Sequence, residues 1–105
     1  MNRISFQGER GAYSEAAAIS FFGDPDIVCE PCSTFAEALR AAEELDFWCI
    51  LPVENSLEGS VGESNDLLLS TNLIVIGEIY HRVHHCLIGT GSIGDIETVL
   101  SLIHI

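Results

Sequence analysis

The sequence predicts an α/β domain, a mostly parallel sheet with helices on both faces. Three observations carry this. Short apolar runs rich in β-branched and aromatic residues alternate with segments whose apolar residues recur at helical spacing. The order they produce, β-α-β-α-β-α-β, joins neighbouring strands by crossover helices. Glycine, proline and small polar residues punctuate the junctions.

Ile4-Ser5-Phe6-Gln7-Gly8 reads as the first strand. A loop with two glycines, Gly8-x-x-Gly11, follows, and Ser14 is a good N-cap. Residues 15–22 then form a short Ala-rich helix, stopped by Gly23-Asp24-Pro25. Residues 26–32 read as the second strand. Ser33 and Thr34 are placed to cap a helix over residues 35–45, whose Phe35, Ala38, Leu39 and Ala42 share one face. Residues 47–52 read as a buried third strand and residues 61–69 as a third helix, with Gly59 and Ser60 at its start. The β-branched run 73–79 predicts a fourth strand, which residues 80–89 either continue or follow with a new one. A glycine-rich loop over 89–94 precedes another short strand at 98–100.

The 105 residues suffice for one small domain or one lobe of a larger one. Sixteen Asp and Glu face four Arg and no Lys, for a net charge of −12. That balance argues against nucleic acid and anionic membranes, which need a basic surface. An anionic substrate would need local positive potential against this background. Neither a signal peptide nor a bilayer-spanning apolar run is visible, so the expected compartment is the cytoplasm. Four cysteines in such a chain are expected to be reduced and buried rather than paired.

The densest chemistry lies in Pro52-Val53-Glu54-Asn55-Ser56-Leu57-Glu58-Gly59-Ser60. A strand ending in polar and small residues just before a helix is where open α/β sheets place ligands. An acid, an amide and a hydroxyl stand together at Glu54, Asn55 and Ser56. Gly59 permits close backbone approach, and free N–H groups at a helix start attract anions. At the same sheet edge the first loop presents Tyr13 and Ser14. Gly8-x-x-Gly11 lacks the fuller dinucleotide fingerprint and the P-loop Lys, which disfavours a nucleotide. The pair Cys29-x-x-Cys32 ends a strand rather than opening a helix and lacks a second ligand pair, so packing is favoured over redox or zinc chemistry. His81, His84, His85 and Cys86 split between the two faces of a strand, which disfavours a metal site.

Several of these pieces together resemble prephenate dehydratase. They are Phe6-Gln7-Gly8-Glu9-Arg10-Gly11-Ala12-Tyr13-Ser14 with Ala16-Ala17, the 52–61 stretch, His85-Cys86-Leu87-Ile88, and Asp95-Ile96-Glu97-Thr98-Val99-Leu100-Ser101. Their order and spacing agree over roughly residues 4–101. The resemblance implies one lobe of a type 2 periplasmic-binding-protein-like fold, about residues 1–76, with about 77–105 crossing into an incomplete second lobe. It implies conversion of prephenate to phenylpyruvate in phenylalanine biosynthesis, with no metal or organic cofactor. It places Glu54, Asn55, Ser56, Gly59, Ser60, Tyr13, Ser14 and Ser101 on the substrate side. The family's Thr-Arg-Phe motif, whose Thr assists hydroxyl departure, has no counterpart here, and Ser101 begins Ser-Leu-Ile-His rather than the family's Ser-His-Pro-Gln. The regulatory ACT domain that often follows in the family has no counterpart either. The expected activity of the chain alone is therefore weak or nil. The alternatives are a non-catalytic binder of carboxylate or aromatic ligands, and a piece that self-associates through residues 73–88.

Overall fold

In a computed structural model, which describes residues 2–56 and 59–100, a three-stranded parallel sheet has the order β2-β1-β3. The strands are β1 (Arg3–Gln7), β2 (Val28–Cys32) and β3 (Trp48–Cys49). Helix α1 (Tyr13–Phe22) links β1 to β2, and α2 (Phe35–Leu45) links β2 to β3. The first crossover moves one way from the central strand and the second moves back across it. Right-handed connections then put the two helices on opposite faces.

The alternation of β1 shows the same thing. Ile4 and Phe6 are buried against Ala18 of α1 and Cys29, with Ala12, Phe22, Ile27 and Ile50 packed around them. Ser5 points the other way, where its hydroxyl donates to the Ala38 carbonyl of α2 at 2.6 Å and to the Trp48 carbonyl at 3.3 Å. A buried hydroxyl must find partners, and here it ties the central strand to a helix and an edge strand. The four apolar residues expected on one face of α2, Phe35, Ala38, Leu39 and Ala42, are all buried. Pro31 is tolerated because β2 is an edge strand.

The helix ends follow local chemistry. Gly23 closes α1 in the left-handed conformation, its N–H on the Ile19 carbonyl. Thr34 caps α2 by accepting from the Glu37 N–H at 3.1 Å, while Glu37 reaches back to the Ser33 N–H at 3.0 Å. Ser14 does not cap α1. The helix starts at Tyr13 with Ala12 at the cap, and the Glu15 carboxylate accepts from the Gly11 N–H at 3.0 Å. That carboxylate takes the role expected of serine, and the helix begins correspondingly earlier.

Two larger expectations are corrected. Residues 59 and 60 do not start the third helix. They form β5 (Gly59–Ser60), antiparallel to β4 (Glu54–Asn55), and α3 (Gly62–Leu69) follows. The Val61 N–H on the Val53 carbonyl at 2.9 Å extends this hairpin, and Gly59 takes a positive φ of 79° near its turn. Residues 73–79 and 98–100 contain no strand, and residues 80–89 none either; among the described residues after α3 the one regular element is a 3-10 turn, Ile93–Asp95. A strand needs a ladder partner. The exposed edge of β3 is two residues long and soon meets Pro52, which has no N–H to offer. Helix α3 packs on α2, and the fully buried Ser64 hydroxyl is an exception to the rule that Ser5 follows, with no hydrogen-bond partner among the described residues. Among the described residues no helix is long and apolar enough to cross a membrane.

Candidate functional site

The C-terminal edge of the parallel sheet gathers the loop after β1 and the start of α2. Gly8 (φ 133°) and Gly11 (φ 91°) turn the chain out of β1 in conformations that glycine alone adopts readily. The Gly8 N–H donates to the Cys32 carbonyl at 2.9 Å, which pins the loop to the end of β2. Tyr13 and Ser14 are thereby presented as the first two residues of α1, Tyr13 exposed and Ser14 half-buried.

Glu54, Asn55 and Ser56 stand exposed on the β4–β5 hairpin, before α3. The hairpin pairs Glu54 with Ser60 and Asn55 with Gly59. All five residues of this group within the described chain thus share one two-stranded unit. Ser101 lies outside the described residues.

A cleft of about 180 Å³ is lined by Gln7, Ser33, Thr34, Phe35 and Glu63, and by none of the residues of the two groups above. Sequence reasoning did not single these residues out for binding. Gln7 ends β1, Ser33 and Thr34 open α2, and Glu63 lies in the first turn of α3, so three element ends converge there. The usable signal was the topology itself, since helix starts and strand ends meet at one sheet edge. A second cleft, of about 230 Å³, runs between α2 and α3 beside Arg40, Glu43 and Leu67.

The electrostatics at this edge are set by acids. Each of α1, α2 and α3 carries a glutamate in its first turn, at Glu15, Glu37 and Glu63. Glu15 and Glu37 already accept backbone N–H groups at their own helix starts. The attraction of those helix ends for anions is therefore largely satisfied internally. Of the cations, Arg3 is held by Glu30 at 3.2 Å and stacks over Phe47, away from this edge. Arg10 stands exposed in the 8–14 loop itself.

Three of the four cysteines are unsuited to nucleophilic work. Burial pushes the Cys29, Cys32 and Cys49 thiols up, and nearby glutamates push Cys29 and Cys32 further. A reactive thiol needs the opposite shift. Cys86 and the three neighbouring histidines are exposed, and among the described residues no group of three metal-binding side chains converges.

A family model described as prephenate dehydratase matches residues 4–105. Arogenate dehydratase/prephenate dehydratase 2 of Arabidopsis thaliana, a chloroplastic protein, is 42% identical over 102 residues, covering 94% of this chain and 26% of that protein. Arogenate dehydratase 2 of Petunia hybrida is 41% identical over 102 residues, covering 94% and 25% respectively. The chain thus spans about a quarter of the length of the curated relatives it matches. A crystal structure of prephenate dehydratase from Streptococcus mutans superposes with a TM-score of 0.59 at 33% identity, covering 66% of this chain and 36% of that one. That protein has a periplasmic-binding-like fold.

Proposed function

Since this chain belongs to the prephenate dehydratase family, we propose that it forms one wall of a site for prephenate, or for its amino analogue arogenate, named in several relatives. The reading divides the chain into a first lobe at about residues 1–76 and a crossing segment at about 77–105. The observation that carries it is the family match running from β1 through both site loops.

The reaction needs few groups. The ring carboxylate leaves as CO₂, its bonding electrons aromatise the ring, and the ring hydroxyl departs with one proton as water. Nothing is oxidised or reduced by an outside reagent, so the balance calls for no cofactor. The protein must hold two carboxylates and supply a donor to the departing hydroxyl. Asn55, Ser56 and Ser14 supply neutral donors that bind carboxylates without demanding a counter-charge, and Gly59 and Ser60 pair with the strand that carries Asn55. Glu54 orients these neighbours rather than touching the substrate, since a second negative charge beside a dianion is costly. Tyr13 faces the same edge from the first loop, and Ser101 belongs to the same set by family resemblance. By family resemblance the donor to the leaving hydroxyl belongs to the Thr-Arg-Phe motif, which is not among these 105 residues, so the groups named here act in holding the substrate.

Isothermal calorimetry of the 105-residue chain with prephenate and with arogenate tests this. Saturable heat with one of them is expected, weakened about tenfold by Asn55→Ala through loss of one or two hydrogen bonds. No heat with either ligand, or identical affinity in the variant, overturns it.

A further inference from the structure

Residues 77–84 run antiparallel along one face of α1. Near the C-terminal end of the helix, Gly77 approaches Phe21 so closely that a Cβ at residue 77 would lie 2.8 Å from Phe21 Cζ. At the N-terminal end, Tyr13 Oη donates to the His84 carbonyl. The Tyr13 ring also stands 5.9 Å from the His81 ring, at 54° to it. Positions 13 and 21 are about 12 Å apart along a helix rising 1.5 Å per residue. Four extended residues, from 77 to 81, span about 13 Å. The Gly77 and His81 contacts therefore fit one extended stretch lying along the helix, and the His84 carbonyl meets the end of the same Tyr13 side chain.

We propose that residues 77–84 are a strap clamped at both ends of α1, and that Tyr13 is a positioning residue whose hydroxyl holds this strap rather than a ligand. A side chain at residue 77 would have to displace the half-exposed Phe21 ring, and the phenol at Tyr13 secures the other end. The strap brings to the first loop a stretch, residues 80–86, that contains Arg82 and three histidines and no acid, in a chain of net charge −12. It is the least acidic polar segment available to a loop whose helix start already carries Glu15. The regulatory meaning, that releasing the strap frees Tyr13 and removes this segment from the site, rests on the prephenate reading above. The clamp itself does not.

Trypsin tests the clamp without any ligand, because the chain has no Lys and its Arg82 lies within the strap. Tyr13→Phe removes the hydroxyl while keeping the ring, and Gly77→Val sets a branched side chain against Phe21 and forces the ring aside at the other end. Each is expected to raise cleavage after Arg82 about threefold, the lower range for loss of one exposed hydrogen bond. Cleavage after Arg40, in α2, should stay at the wild-type rate. Wild-type cleavage after Arg82 in both variants overturns the proposal. An equal rise at Arg40 also overturns it, since it would mean a general loss of fold. Because prephenate is absent, a negative calorimetric result and a negative cleavage result remain separate.

Discussion

Residues 3–7 and 73–79 both read as strands, the second with the more apolar and β-branched sequence, yet only the first is a strand. In β1, Ile4 is 2% exposed and Phe6 fully buried, while Ile74 is 83% and Ile76 61% exposed. The difference is partnership. Strand β1 is hydrogen-bonded on both sides and has a helix on each face. Residues 73–79 have no ladder among the described residues. The chain accordingly exposes 8399 Å², against about 5,800 Å² for a compact chain of this size. Strand propensity describes a side chain's fitness for a pleated, half-buried surface, and it does not supply that surface.

The comparison can be broken most directly by truncating one apolar residue in each region. Phe6→Ala should cost about 3–5 kcal/mol, enough to unfold a lobe of marginal stability. Ile76→Ala should change stability by no more than about 0.5 kcal/mol. Urea denaturation of both variants, followed through Trp48, checks this; a large cost for Ile76→Ala would show that residues 73–79 are packed in solution.

A smaller effect sharpens what β1 has and the tail lacks. Ser5→Ala removes the hydroxyl joining β1 to α2 and β3, and should cost about 1 kcal/mol in the same urea assay. A neutral result would mean that backbone pairing and apolar contact alone hold the three elements together.

The smallest expected effect concerns pH. Burial raises the Cys49 thiol above its ordinary value of 9.0, and the Ser5 hydrogen bond only partly offsets this. Below pH 9 the thiol is protonated in both folded and unfolded chains, so its contribution is constant. Above pH 9 the unfolded chain loses its proton first, and stability falls as pH rises through the folded value. Cys49→Ala should flatten that alkaline decline relative to wild type; an unchanged slope would assign the decline to other groups.

Local chemistry made much of the lobe legible. The bounds of α2 follow from Thr34 with Glu37 at one end and the apolar spacing 35, 38, 39, 42 along its length. The end of α1 follows from Gly23. The start of α1 was harder to read, because Ser14 and Glu15 are both able to satisfy the loop and only geometry shows that Glu15 reaches the Gly11 N–H. The hairpin of residues 54–60 was legible only in part. Gly59 signals a turn, but a strand–helix junction and a hairpin use the same residues there, and the choice depends on whether Val61 meets the Val53 carbonyl. The cleft lined by Gln7, Thr34 and Glu63 draws on residues 27 to 29 positions apart, a proximity that no local pattern encodes.

Taken alone, the sequence determines the alternation of strand and helix through residue 49, the inward faces of β1 and α2, and the resemblance carried by the 8–14 and 52–60 segments, because these depend on residues near one another in the chain. Tertiary structure alone decides that Tyr13 spends its hydroxyl on His84, that Glu15 and Glu37 turn back onto the N–H groups before their own helices, and that residues 73–79 lie unpaired among the described residues. Each of those outcomes depends on which partner lies within hydrogen-bonding or packing distance, and that is fixed only when the chain has folded.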